Sequence, residues 1–261
     1  MAEEQFERSG RRSWSRPRDV GTAAQGDEDR RARLDLEALS AEEILAGAVE
    51  EHHPRMALAC SFQKEGTVLM HMLLRLVPDA RIFTIDTGVL FPETYATWRE
   101  LRRHMGASVE VLDAGSGEGQ WTRERCCGER KVAALRRGLD RLDAWVTGLR
   151  REQAPTRAGT AKLEWDSAHE LWKVNPLADW SEERVWDYIH EHGLPYNPLH
   201  DRGYASIGCA PCTRPGLGRE GPLGGPGKDR MRPARGTKPE LGGAAAPPRV
   251  APRGSRKSAW G

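Results

Sequence analysis

The sequence predicts an α/β fold, a parallel β-sheet with helices packed on both of its faces. Three observations lead there. Short apolar runs alternate with amphipathic helical stretches along the middle of the chain, as βα units do. Polar loops follow the first two runs and lead straight into helices, where a doubly covered sheet places its ligands. The length, 261 residues, suffices for one substantial domain with a buried core.

The elements follow in order. Residues 1–32 are charged and lack a hydrophobic period, so they are read as a disordered lead-in to a domain over 33–215. Ser40 with Glu43 makes a capping box, and Ile44, Leu45 and Val49 continue as a helical stripe. "RMALACSF" (Arg55–Phe62) reads as a buried strand and "EGTVLMHMLLRLV" as the helix after it. "RIFTID" (Arg81–Asp86) is a second strand, and "PETYATWRELRRHMG" a helix closed by Gly106. "SVEVLD" (Ser108–Asp113) and "AWVTG" (Ala144–Gly148) give a third and a fourth strand with a helix between them. "WSEERVWDYIHEHG" is a late helix with Ser181 as N-cap, acidic residues in its first turn and Gly193 at its end. Residues 216–261 hold 11 of the 28 glycines and 7 of the 17 prolines, the composition of a disordered tail.

Charge and hydropathy narrow the function. The net charge of +2 hides a split, because the tail carries ten Lys/Arg against three Asp/Glu and leaves the remainder acidic. An acidic body does not favour a nucleic-acid partner, which needs a basic face. No apolar run approaches the roughly 18 residues that span a membrane. The first residues lack the apolar core of a signal peptide, so the cytoplasm is expected. Five cysteines are few for a secreted disulfide scaffold and suit metal ligands or catalytic groups.

"SFQKEGT" (Ser61–Thr67) and "DTGVLFPET" (Asp86–Thr94) leave adjacent strand ends and together suggest a nucleotide site. The backbone near Ser61, Phe62 and Gln63 would face phosphate-like oxygens. The spacing of a P-loop is absent. Arg150, Arg151 and Arg157 follow a strand end and Arg202 lies in "HDRGY"; guanidinium forks suit sulfate and phosphate oxygens. Cys126 and Cys127 are contiguous, and Cys209-x-x-Cys212 forms a second pair. Four thiolates in two pairs suit structural zinc or an iron–sulfur cluster, and the contiguous pair favours the cluster. Cys60, ending the first strand, reads as a small buried hydrophobe.

The segments "CSFQKEGTVLMHML", "IDTGVLFPETY", "CCGERKVAALRRGLDRLDAWVTGLRREQAPTRA", "KVNPLADWSEERVWDYI" and "LPYNPLHDRGYASIGCAPCTRP" resemble the assimilatory branch of the APS/PAPS reductase family, over about Leu39 to Pro215. The resemblance implies an adenine-nucleotide α-hydrolase-like (Rossmann-like) fold. It implies a [4Fe-4S] cluster on Cys126, Cys127, Cys209 and Cys212, the mark of the branch that prefers adenosine 5'-phosphosulfate (APS). It also implies that Ser61, Phe62, Gln63, Asp86, Thr87 and Gly88 line the nucleotide. Arg150, Arg151, Arg157 and Arg202 would surround the phosphosulfate, with Lys131 between cluster and substrate. In the family a cysteine thiolate attacks the sulfur of APS, AMP leaves, and thioredoxin releases sulfite from the enzyme's S-sulfocysteine.

That family nucleophile lies in a C-terminal Glu-Cys-Gly-Leu-His motif, and this sequence has no cysteine after Cys212. The codons offer a reason. Met231 is ATG, and a following CGN arginine lets the frame one base later read TGC, cysteine. From Leu223 that frame permits Trp-Glu-Asp-Pro-Glu-Lys-Thr-Glu-Cys-Gly-Leu-His, so a one-base slip between Pro215 and Leu223 is the expectation for the tail. Three functions follow: a reductase by descent that has lost its nucleophile, a non-catalytic nucleotide- and cluster-binding protein, or a related adenylating or thiolating enzyme. The lack of an S-G-G-x-D-S loop at Ser61 weighs against the third.

Overall fold

The computed structural model describes residues 35–115 and 129–216. The expected lead-in and tail, Cys126, Cys127 and the frame overlapping Met231 lie outside them. Strands β1 (Met56–Ala59), β2 (Ile82–Asp86), β3 (Glu110–Asp113), β4 (Ala144–Val146), β5 (Leu163–Asp166) and β6 (Leu171–Val174) join in one sheet. Their order is β3-β2-β1-β4-β6-β5. Helices α1 (Ala41–His52), α2 (Lys64–Leu76), α3 (Pro92–Met105), α4 (Lys131–Leu139) and α5 (Glu182–Glu191) cover it.

Each helix begins and stops for local reasons. Ser40 Oγ accepts from the Glu43 amide at 3.1 Å while the Ser40 amide donates to Glu43 Oε2 at 2.7 Å, closing the capping box of α1. Pro92 opens α3, and Gly106 closes it in the left-handed conformation at φ +63°. Ser181 Oγ accepts from the Arg184 amide to cap α5.

Strand alternation divides the core in two. Met56, Leu58, Ile82, Val146 and Val174 face α1, α2, α3 and α5 through Ile44, Leu69, Leu101 and Ile189. Ala57, Phe83, Leu112 and Leu171 face the other way, against Ala134 and Leu139 of α4. The chirality rule explains the split. The chain moves outward from β1 to β3 over α2 and α3, then crosses back over β2 and β1 to β4, so α4 lands on the opposite face.

One feature departs from the all-parallel expectation. Strands β1, β2, β3, β4 and β6 are parallel, but β5 runs antiparallel to β6 at the edge. The sequence did not signal this hairpin: "LEWD" alternates apolar and polar residues over only four positions, and "LWKV" does not alternate. All four β5 residues are half-buried, as suits an edge strand that presents neither face fully to the core.

Candidate functional site

The sheet reverses its strand order between β1 and β4, and the loops leaving these two strands lie side by side. Such a switch point is where open α/β sheets bind ligands. The approach is tight: a Cβ on Gly148, just past β4, would lie 2.8 Å from Cβ of Glu65 in the first turn of α2. The β1–α2 loop carries strain as well. Phe62 sits at φ +55°, a conformation costing a non-glycine residue on the order of 1–3 kcal/mol. Its buried ring stacks on Trp98 at 5.1 Å and holds it there. With its ring in the core, Phe62 offers the loop its backbone, the part of it expected to face the nucleotide.

The β2–α3 loop lies on the other side of β1. Asp86 Oδ1 accepts from the Gly88 amide at 2.8 Å and from the Tyr95 hydroxyl at 2.7 Å, fixing an Asx turn with Gly88 at φ +71°. Burial, followed by this bond to Asp86, pushes the Tyr95 phenol up to about 12. Thr87 is buried, and its hydroxyl lies 3.1 Å from Cys209 Sγ.

Cys209 and Cys212 sit in a turn closed by the Cys212 amide donating to the Cys209 carbonyl at 3.0 Å, with Thr213 Oγ1 donating to the same oxygen. Neither cysteine is in a disulfide. The turn is fastened to the β2–α3 loop by a bridge between Leu90 and Cys209 and by the Ala210 amide donating to the Val89 carbonyl at 2.8 Å. Two sulfurs in one turn fit half of a four-thiolate donor set. Among the described residues no group of three or more His, Cys, Asp or Glu side chains could hold a metal ion. Cys60 is different. It is 3% exposed, and burial pushes its thiol up to about 12, which fits the packing role expected for it.

The arginines disperse. Arg150 is 2% exposed, with Nε donating to Glu65 at 3.1 Å and Nη1 to Glu152 at 2.9 Å and to the Trp180 carbonyl at 3.1 Å. Arg151 donates to Glu37 and to the Thr160 carbonyl. Arg157 donates to Gln153 Oε1, whose amide nitrogen reaches Glu65 and the Gly148 carbonyl. Arg202 leaves its side chain 60% exposed and pairs with Glu93 at the start of α3, 2.7 Å away. Lys131 is exposed as the first residue of α4. Of the cations expected around a phosphosulfate, Arg202 therefore lies at the mouth of the β2–α3 loop, while Arg150 is engaged beneath the switch point.

Sequence reasoning missed the charged network under that point. Lys64 is 2% exposed, and its ammonium lies 3.0 Å from Glu182 Oε1. Burial raises the Glu65 carboxyl, but Lys64, Arg150 and its hydrogen bonds outweigh burial and hold it below the usual carboxylate range. Glu182 is held down similarly: burial raises it, and the bond and charge of Lys64 together with Arg150 and Trp186 outweigh burial. A concavity of about 360 Å³ lies elsewhere, lined by Arg99, Arg102, Arg103, Gly106 and Ala107. Its arginines offset the negative C-terminal end of α3.

A mostly parallel sheet with its strand-end loops gathered at a switch point defines a doubly wound, Rossmann-like α/β protein. Residues 55–215 match the phosphoadenosine phosphosulfate reductase domain. The chain belongs to that family of oxidoreductases. It is 43% identical over 194 residues to the adenosine 5'-phosphosulfate reductase of Salinibacter ruber, covering 68% of this chain and 77% of that one. It is 42% identical over 193 residues to the phosphoadenosine 5'-phosphosulfate reductase of Gloeobacter violaceus, covering 69% and 80%. The crystal structure of phosphoadenylyl-sulfate reductase from Candida auris shares the fold at a TM-score of 0.61 and 24% identity, covering 75% of this chain and 99% of that one.

Proposed function

We propose that this chain is built for the reductive cleavage of APS to sulfite and AMP, with thioredoxin as electron donor in cytoplasmic sulfate assimilation. The fastening of the Cys209–Cys212 turn to the β2–α3 loop carries this reading, because it sets a thiolate pair beside the expected nucleotide loops. Relatives named APS reductase, from Salinibacter ruber and Geobacillus thermodenitrificans, match over about 70% of the chain and support it. The gathered loops suit a nucleotide: Ser61 to Gln63 present backbone at one strand end, and Asp86 to Gly88 at the next.

Arg202 would meet phosphate or sulfate oxygens by giving up Glu93, a reading its exposed ion pair supports. Arg151 and Arg157 would do so by exchanging Glu37 and Gln153, and Lys131 from the first turn of α4. Arg150 acts through Glu65 and holds the loops in place. Cys209 and Cys212, with Cys126 and Cys127, would hold a [4Fe-4S] cluster, which when bound supplies a fixed charge centre beside the nucleotide.

The cleavage itself needs one more thiolate. It would attack the sulfur of APS, break the sulfur–oxygen bond to AMP and keep the sulfonate as S-sulfocysteine. A thioredoxin thiolate then attacks the cysteine sulfur, expels sulfite and resolves the mixed disulfide with its second thiol. Cys60 does not fit this role: it is buried, and its thiol is held protonated at neutral pH. The chain as written is therefore expected to bind nucleotide without turnover. The missing thiol equally favours a second reading, a non-catalytic nucleotide- and cluster-binding protein.

The test is sulfite release from APS with thioredoxin, comparing this chain with one whose frame is restored to Glu-Cys-Gly-Leu-His across Met231. Silence in the first and turnover in the second supports the reading. Activity in the unrepaired chain that vanishes in Cys60→Ser overturns the assignment of Cys60. A silent repaired chain leaves the binding protein as the better description. Iron with acid-labile sulfide is expected in the purified protein, and stoichiometric zinc in their place would refute the cluster.

A further inference from the structure

The segment carrying Cys209 and Cys212 is a closed loop. The Gly216 amide donates to the Gly203 carbonyl at 2.8 Å, so residues 203–216 leave the body and return at one point. On one side this loop is fastened to Thr87 and Val89, as described. On the other side it meets the start of α2, and there two buried side chains hold it. Gln63 Oε1 accepts from the Ile207 amide at 2.8 Å and from Ser206 Oγ at 3.2 Å, while Gln63 Nε2 donates to Ser61 Oγ at 3.2 Å. Lys64 Nζ donates to the Ala205 carbonyl at 3.3 Å while paired with Glu182.

Gln63 thus spends both ends of its amide inside the protein. The Ile207 amide is buried, and leaving it unbonded would cost about 1–3 kcal/mol. Ile207 lies two residues before Cys209, and a shift at that amide is carried by the backbone to the sulfur.

We propose that Gln63 is a positioning residue, a latch that, with Lys64 beside it, sets the 203–216 loop and Cys209 at a fixed height above the β1–α2 loop. The inference rests on the proposed cluster only where iron is measured; the latch itself is a property of the protein chain. The same Gln63 amide touches Ser61, so ordering of the β1–α2 loop by a nucleotide passes directly to the loop that bears the two thiols.

Hydrogen–deuterium exchange of the full chain, resolved by peptide over residues 203–213, tests it. Gln63→Ala is expected to speed exchange at Ile207 and its neighbours at least tenfold, with far-ultraviolet circular dichroism unchanged. Gln63→Glu keeps the accepting oxygen and should restore most of the protection, which a general loosening would not. In protein loaded with iron and sulfide, Gln63→Ala should lose iron to a chelator several-fold faster, and Gln63→Glu should not. Should Gln63→Ala fail to fold, Ser206→Ala removes one of the two bonds from the loop side and should give a smaller increase of the same kind. Exchange within twofold of the parent overturns the latch. Faster exchange with unchanged iron loss overturns its hold on Cys209. A parent chain that binds neither AMP nor iron defeats the proposed function, while the exchange comparison still decides the latch.

Discussion

Arg150 and Arg202 both come from charged loops and carry the same guanidinium, yet they end in opposite surroundings. Arg150 lies 2% exposed beneath the switch point, its donors taken by Glu65, Glu152 and the Trp180 carbonyl. Arg202 stands at the mouth with one carboxylate partner and most of its side chain in water. The difference teaches that a cluster of arginines beside the proposed nucleotide loops contains two populations. One holds the loops in position; the other is free to exchange a carboxylate for a ligand.

The sharpest break of this comparison is Arg150→Ala. It leaves the buried Glu65 carboxylate without its ion-paired guanidinium, and breaking such a pair costs about 3–5 kcal/mol. A large drop in the urea midpoint at neutral pH is expected. An unfolding free energy within about 0.5 kcal/mol of the parent, the range of ordinary surface changes, would place Arg150 with the exposed group. Adding Glu65→Gln to Arg150→Ala should recover part of the loss, because the orphaned charge is then gone.

Acidity gives a second, smaller handle on the same pair. Glu65 is held below its ordinary value in the folded protein, so its contribution is full above the unfolded carboxylate value of about 4.3 and is lost as pH falls through the folded value. The gap in stability between the parent and Arg150→Ala should therefore narrow as denaturation is repeated below about pH 4. A gap that widens in acid would mean that another group governs the site.

Arg202→Ala should barely move the urea midpoint, since exposed ion pairs contribute about 0–1 kcal/mol. Its effect belongs to the ligand: losing a charge-assisted bond should weaken AMP or APS binding about tenfold by calorimetry, the low end of what such bonds contribute. Unchanged affinity with an unchanged midpoint would remove Arg202 from the site.

Much of the scaffold was legible because local chemistry and burial agree there. The capping box at Ser40, the Ser181 cap, Gly106 and the apolar runs of β1 and β2 each state their structure within a few residues. The loops at Ser61 and Asp86 were legible for the same reason, since a strand-to-helix turn at a switch point is written locally. The β5–β6 hairpin was not, because the alternation of β5 spans four residues, β6 has none, and the Trp165–Trp172 contact exists only once the strands pair. Nor could the sequence separate Arg150 from Arg202. Burial of Arg150 depends on Glu65, 85 residues away, and on a carbonyl in the turn before α5. The uses of Gln63 and Lys64 depend on partners more than a hundred residues distant.

The two rims of the sheet carry different risks of unwanted association. At one rim β5 runs against the grain of its neighbours and ends the parallel ladder. At the other, β3 is paired only through β2 among the described residues and exposes Val111. Glu110 and Asp113 bracket that valine. A second copy docking strand to strand would bring carboxylates against carboxylates, which discourages rim-to-rim stacking. Four residues of strand, half of them acidic, leave β3 a poor template for growth.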